Sequence, residues 1–271
     1  MNNNKPAKNP KPPATLSRLR LIAMVHLPAL PGSARAVLPM QKIIDRAVRE
    51  AKQLEGAGFD AVIVENFGDA PFHAECVPRE SVAAMSVVVD HVVRAVKIPV
   101  GVNMLRNDGL SGLAVACATG AAFIRVNVLS GVYATDQGFI TGHPAELLAR
   151  RAAVAPNVFI ASDVHVKHAQ PISQPDIALA AEETAHRAGA DALIVSGVAT
   201  GSPADMNLVK KVANAVPDFP VWIGSGVTAA TVGDYVKIAS GVIVGTSLKK
   251  GGQTTAELDA KRVREFIRAA K

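Results

Sequence analysis

Eight short β-rich runs recur along this chain, each followed by a helical segment, and no other feature restricts its fold so strongly. The runs cover residues 21–26, 61–65, 99–103, 123–127, 158–165, 192–196, 221–224 and 241–245. Between the first two, Ile43, Ile44, Ala47, Val48, Ala51 and Leu54 fall at three- and four-residue spacing, the stripe of an amphipathic helix. Later helices are expected to open at Asp108, Ser173, Ser202-Pro203, Thr228 and Thr255, and Gly58, Gly120 and Gly189 to close theirs. Eight β/α units in about 250 residues predict a single (β/α)8 barrel over residues 19–271. A doubly wound sheet is the alternative. It lacks support, because His26-Leu-Pro-Ala-Leu-Pro follows the first run where a dinucleotide fold carries its glycine-rich turn.

Composition agrees with buried parallel strands. Hydrophobic residues make up 49% and aromatic residues 4%, so Ala, Val, Ile and Leu must fill the core. So few aromatics argue against a stacking platform for single-stranded nucleic acid. Cys76 and Cys117 form no paired motif, as expected of a reducing, cytoplasmic setting. Neither a membrane span nor a signal peptide is expected. Residues 1–44 hold seven bases and no acid, whereas the rest holds 22 bases against 23 acids. The basic character therefore belongs to the leader, residues 1–18, which is rich in Pro, Asn and Lys and expected to be disordered. A solvated tail is the first expectation for it. Weak peripheral attraction to an anionic membrane is the second, and no specific nucleic-acid partner is expected.

In a (β/α)8 barrel, chemistry sits where strands end. The strand ends here are polar: His26; Glu65 and Asn66; Asn103; Arg125 and Asn127; Asp163, His165 and Lys167; Ser196. Alternation with period two puts Asp163, His165 and Lys167 on one face of the fifth strand, opposite Val164 and Val166. That face is expected to line the barrel mouth with Glu65 and Arg125, as ion pairs or around a polar ligand. The seventh and eighth units end in Gly224, Ser225 and Gly226 and in Gly245, Thr246 and Ser247. Glycine lets backbone N–H groups approach an anion, and these loops commonly hold phosphate in such barrels. Ser196-Gly197 and Thr200-Gly201 are expected on the neighbouring wall. A divalent metal is compatible with Glu65, Asp163, His165 and His26, although no close ligand motif is present. Lys167 pairs with a carboxylate or, with its pKa depressed, serves as a Schiff-base amine. Long connections at 27–40, 66–79 and 128–143 read as lids or binding loops, with Phe67, Phe72 and Tyr133 shielding a ligand or packing beneath their own loops.

Several stretches together resemble the BtpA family, also called BtpA/SgcQ. They are Met24-Val-His-Leu-Pro-Ala-Leu-Pro-Gly-Ser33, Val64-Glu-Asn-Phe-Gly-Asp-Ala-Pro-Phe72, Arg125-Val-Asn127, Ser162-Asp-Val-His-Val-Lys-His168 and Val244-Gly-Thr-Ser-Leu-Lys-Lys-Gly251. The resemblance spans residues 19–268 and implies a TIM barrel akin to ribulose-phosphate-binding barrels. With the polar mouth and the glycine loops, it leaves two classes of function. One is binding and turnover of a small phosphorylated metabolite, a sugar or nucleoside phosphate, by isomerase, epimerase or lyase chemistry. There Glu65, Asp163 or His165 would move a proton, and Lys167 and Arg125 would stabilise the oxyanion. The other is a non-catalytic role in photosystem I biogenesis at a membrane, from which the family takes its name. A homo-oligomer is compatible with either.

Overall fold

The computed structural model describes residues 15–271. In chain order its strands are β1 Leu21–His26, β2 Ala61–Glu65, β3 Val100–Asn103, β4 Phe123–Val126, β5 Val132–Thr135, β6 Gly138–Thr141, β7 Phe159–Val164, β8 Ala169–Pro171, β9 Ala192–Val195, β10 Val221–Ile223 and β11 Gly241–Val244. The helices are α1 Met40–Ala57, α2 Arg79–Ala95, α3 Gly109–Thr119, α4 Pro144–Val154, α5 Ile177–Glu182, α6 Met206–Ala215, α7 Val232–Tyr235 and α8 Ala260–Ala270. Eight strands close into a parallel barrel in the order β1-β11-β10-β9-β7-β4-β3-β2. The expected barrel is therefore the observed one, with each of the eight sequence runs supplying a strand.

Period-two alternation organises the barrel into two apolar layers. Ile124, Val126, Ile160 and Val164 face outward and pack under the helices with Ile43, Leu54, Val88 and Val212. Phe123, Phe159, Ala161, Ile194, Trp222 and Ile243 face inward and fill the floor. Phe159 stacks on Trp222 at 5.8 Å, and Phe123 meets the same indole edge-on at 6.2 Å. The inner face turns polar one step up. Strand register sets His26 beside Glu65, Glu65 beside Asn103, and Asn103 beside Arg125.

Helix starts lie downstream of several expected positions. Asp108 caps α3 through Ser111 N, as expected. Asp176, Asp205 and Asp259 cap α5, α6 and α8, in place of Ser173, Ser202 and Thr255. In each case a carboxylate three residues or so further on accepts the free N–H groups and fixes the start. Gly58 and Gly120 close α1 and α3 in the left-handed region, at φ 102° and 76°.

Two expectations change. The connection at 128–143 is a hairpin of β5 and β6, which β8 extends into a three-stranded antiparallel sheet. Tyr133 and Ile140 bury its inner side against Val128 and Val166. The leader boundary also moves. Leu16–Arg18 forms a 3-10 turn, and Leu16 is buried with Leu19 against the barrel floor, because the open lower end exposes apolar side chains that need a cover. Residues 1–14 of the leader lie outside the described residues. Among the described residues, no helix is long and apolar enough to cross a membrane.

Candidate functional site

The polar layer at the strand ends rests on one buried ion pair. Arg125 on β4 grips Asp163 on β7 bidentately, with Nε to Oδ2 at 2.8 Å and Nη2 to Oδ1 at 2.7 Å. Ser196 Oγ donates to Oδ1 at 3.1 Å, and Asn127 Nδ2 approaches Oδ2 at 3.4 Å. Asn103 Nδ2 donates to Arg125 O and to Asn127 Oδ1. All four acceptor positions of Asp163 are thus occupied, and the group is a buried anchor. The acid/base role expected for it would require a carboxylate free of these partners. Asn103, Asn127 and Ser196 hold the anchor and do not line the cavity above it.

That cavity is bilobed. Its inner lobe, about 220 Å³, is lined by His26, Glu65, Arg125, Lys167, Thr200, Gly201 and the turns Gly224, Ser225, Gly226 and Gly245, Thr246, Ser247. The outer lobe, about 200 Å³, shares His26, Glu65, Lys167 and Thr200 and adds Phe67, Phe72, Leu105, Arg106, Asp136, Gln137 and His168. Four residues thus form a neck between the lobes.

The glycines of the inner lobe make room. A Cβ on Gly245 would sit 2.5 Å from His26 Cε1, and one on Gly224 would sit 2.4 Å from Ile194 Cγ2 and 2.6 Å from Ser196 Oγ. Gly226, at φ 69°, leaves space for the Pro203 backbone. The hydroxyls tie loop to loop. Ser225 Oγ donates to Ser202 O and accepts from Gly197 N, and Ser247 Oγ donates to Val227 O. The backbone N–H groups of Gly226, Thr246 and Ser247 reach no protein acceptor among the described residues. Unpaired N–H groups on adjoining turns form a concavity suited to an anion.

At the neck, Glu65 Oε1 lies 3.6 Å from His26 Nε2, and His26 Nδ1 is buried with no partner. Burial pushes the Glu65 carboxyl above its usual range, against the pull of Lys167 and Arg125. Burial, then the charges of Lys249, Lys167 and Arg125, holds His26 well below the usual histidine range, so the imidazole is neutral. Burial followed by the Arg125 charge lowers the Lys167 amine to about 8. Neither carboxylate of the mouth lies within ion-pair distance of it, so the carboxylate pairing expected for Lys167 is absent.

Two expected site residues lie elsewhere. His165 turns away, because β7 ends at Val164 and the chain enters the left-handed region at φ 51°. Alternation stops applying there. Its ring packs edge-on to Tyr133, and its Nε2 bonds Gln174 O at 2.9 Å. Asn66 is buried and joins loops through Asp69 and the Leu105 backbone. Phe67 lines the outer lobe and packs edge-on to His26 at 5.1 Å. Sequence reasoning missed Arg106, Asp136, Gln137 and His168. Arg106 lies three residues past the end of β3, so a reading that stopped at strand ends passed over it. Among the described residues, no group of three His, Cys, Asp or Glu gathers to hold a metal: Asp163 is committed to Arg125, and His165 has turned away.

A closed parallel barrel with its charged groups gathered at the C-terminal strand ends is a TIM barrel. The chain belongs to the BtpA family, whose model matches residues 18–271. A Synechocystis protein named Photosystem I biogenesis protein BtpA is 46% identical over 249 residues, 92% of this chain and 87% of the relative. An uncharacterized protein of Pyrococcus horikoshii is 41% identical over 251 residues, 93% of this chain and 95% of the relative. Among solved structures, the barrel is similar to thiamine phosphate pyrophosphorylase from Pyrococcus furiosus, with TM-score 0.59 and 16% identity over 94% of this chain and 97% of that one. It is likewise similar to 3-hexulose-6-phosphate synthase, with TM-score 0.59 and 18% identity over 93% and 100%.

Proposed function

We propose that this protein binds a small phosphorylated metabolite, a sugar or nucleoside phosphate, and catalyses proton transfer on it in an isomerase, epimerase or lyase reaction. The observation that carries this reading is the inner lobe, where unpaired N–H groups of two glycine turns face the same space as Glu65 and Lys167. A phosphate in the cradle delivers the adjoining carbons to the neck. Glu65, its pKa raised above the usual carboxyl range by burial, takes or gives a proton there. The unpaired ammonium of Lys167, which lines both lobes with Glu65, stabilises the oxyanion that forms. Both solved barrels named above carry the names of phosphate-compound enzymes, which fits this reading.

The name of the Synechocystis relative supports a second reading, a non-catalytic assembly factor for a membrane complex. That role works through an outer surface and leaves the unpaired mouth groups without a use. Thermal shift separates the two. A phosphorylated ligand at about 100 Kd adds ~2.7 kcal/mol of stability, and its dephosphorylated analogue adds far less. Thr246→Asp, which sets a carboxylate in the cradle, should abolish the shift. Glu65→Gln should keep it and lose exchange of solvent deuterium into the bound ligand. No shift with any phosphorylated sugar or nucleotide would favour the assembly role, and equal losses for phosphorylated and dephosphorylated compounds in Thr246→Asp would mean that the turns only shape the pocket.

A further inference from the structure

The outer lobe holds a charge that the reaction just described does not use. Arg106 is 4% exposed. Its Nη2 donates to Lys167 O at 2.5 Å, and its remaining guanidinium nitrogens have no protein acceptor among the described residues. No carboxylate of the described residues lies within ion-pair distance of it. Of the two acids in the same lobe, Glu65 lies beside His26, and Asp136 is exposed at the hairpin tip and receives Gln137 Nε2 at 2.5 Å. A buried guanidinium without a carboxylate is costly unless something else compensates it. Its planar fork matches carboxylate and phosphate.

His168 adds a second donor. Its Nε2 accepts from Thr200 N at 3.1 Å. A backbone N–H can only donate, so the proton of the neutral ring sits on Nδ1. The same contact ties the loop after β7 to the loop that carries Gly201, so both lobes share one wall. Because His26, Glu65, Lys167 and Thr200 line both lobes, a ligand that fills both runs past these four residues.

We propose that the outer lobe is a second oxyanion subsite built on Arg106, and that the ligand carries an anionic group at each end: a phosphate in the glycine cradle and a carboxylate or second phosphate on Arg106. This rests on the phosphate reading of the cradle and narrows it to compounds whose reacting carbons lie between two anions. Such a ligand spans the neck, which explains why the proton-moving and charge-stabilising groups sit at its waist.

Calorimetric titration of the full chain tests this with inorganic phosphate, fructose 6-phosphate, fructose 1,6-bisphosphate and 6-phosphogluconate. The last two differ in whether the second anion is phosphate or carboxylate. At least one of them should bind tenfold or more tightly than fructose 6-phosphate, and inorganic phosphate should compete with all three. Arg106→Gln should shrink that preference below twofold and leave fructose 6-phosphate within twofold of its wild-type affinity. Arg106→Lys, which keeps the charge and loses the fork, should keep part of it. Equal affinity of wild-type protein for one-anion and two-anion sugars, with phosphate still competing, overturns the second subsite and leaves the cradle standing. So does a preference that survives in Arg106→Gln. Failure of every compound to bind, inorganic phosphate included, overturns both readings. The wild-type comparison decides the matter even where a variant fails to fold.

Discussion

His26 makes the sharpest single-residue case, because its burial has a pH signature. Its pKa is held low by burial first and by Lys249, Lys167 and Arg125 after it. In the unfolded chain the ring takes a proton as pH falls below about 6.5, while in the folded protein it stays neutral. The unfolded state therefore binds more protons in that window. Stability is present above it and is lost as pH falls, by at most about 1.4 kcal/mol per pH unit for this group. Glu65 has the opposite sign: its raised pKa makes the folded state the better proton acceptor as pH drops. The difference between wild type and His26→Gln isolates the histidine. Denaturant titrations from pH 7 to pH 5 should show a shallower loss in the variant, and parallel curves would mean that folded His26 protonates freely. At this scale the sequence revealed residues on strands and hid residues on loops. Asp163 and Glu65 point inward because the alternation that placed them is continuous up to their positions. His165, one residue past the strand, lies beyond its reach, and Arg106 has no periodicity to place it.

At the scale of elements, the strands were legible because buried parallel strands leave long Val/Ile runs and because the inner face needs glycine where large rings fill the floor. Gly101 on β3 is such a position. A Cβ there would lie 2.3 Å from Phe123 Cε2, in a ring that is fully buried against Trp222. The ring has no free volume to move into, so Gly101→Ala should destabilise by about 1–3 kcal/mol, the cost of overpacking. Gly56 near the end of α1 has nothing within 4 Å of its absent Cβ. Gly56→Ala should stabilise by up to about 1 kcal/mol through helix propensity alone. Opposite signs in one urea-denaturation series would confirm that the two glycines do different work, and a neutral Gly101→Ala would show that the floor is looser than its stacked rings indicate. The hairpin of β5 and β6 was harder to read. Its strands are four residues each, the turn is only Asp136-Gln137, and its partner β8 arrives from another connection. Short strands paired across distant sequence leave little local pattern.

For the whole molecule, the barrel has a polar top and an apolar floor, and the two ends need different treatment. The top, where the charges sit, opens into the bilobed cavity. The floor must be sealed, and the chain does this with its own N-terminal approach: Leu16 is 2% exposed and Leu19 6%, both against the inner cluster of Phe123, Phe159 and Trp222. Composition hid this, since a Pro/Asn/Lys-rich leader gives no sign that its last residues change role, and one leucine among polar neighbours carries no periodicity. Leu16→Ala should cost about 2–5 kcal/mol, the range for emptying a buried leucine site. A chain that begins at Leu19 should melt below one that begins at Thr15. The loss should be purely one of stability, because the plug lies at the end opposite the cavity. Phosphate affinity measured well below the melting temperature should stay within twofold of wild type in Leu16→Ala. An unchanged melting temperature would mean that the floor seals itself without Leu16, and a large drop in ligand affinity would mean that the floor packing sets the geometry of the mouth through Phe123 and Arg125 on the same strand.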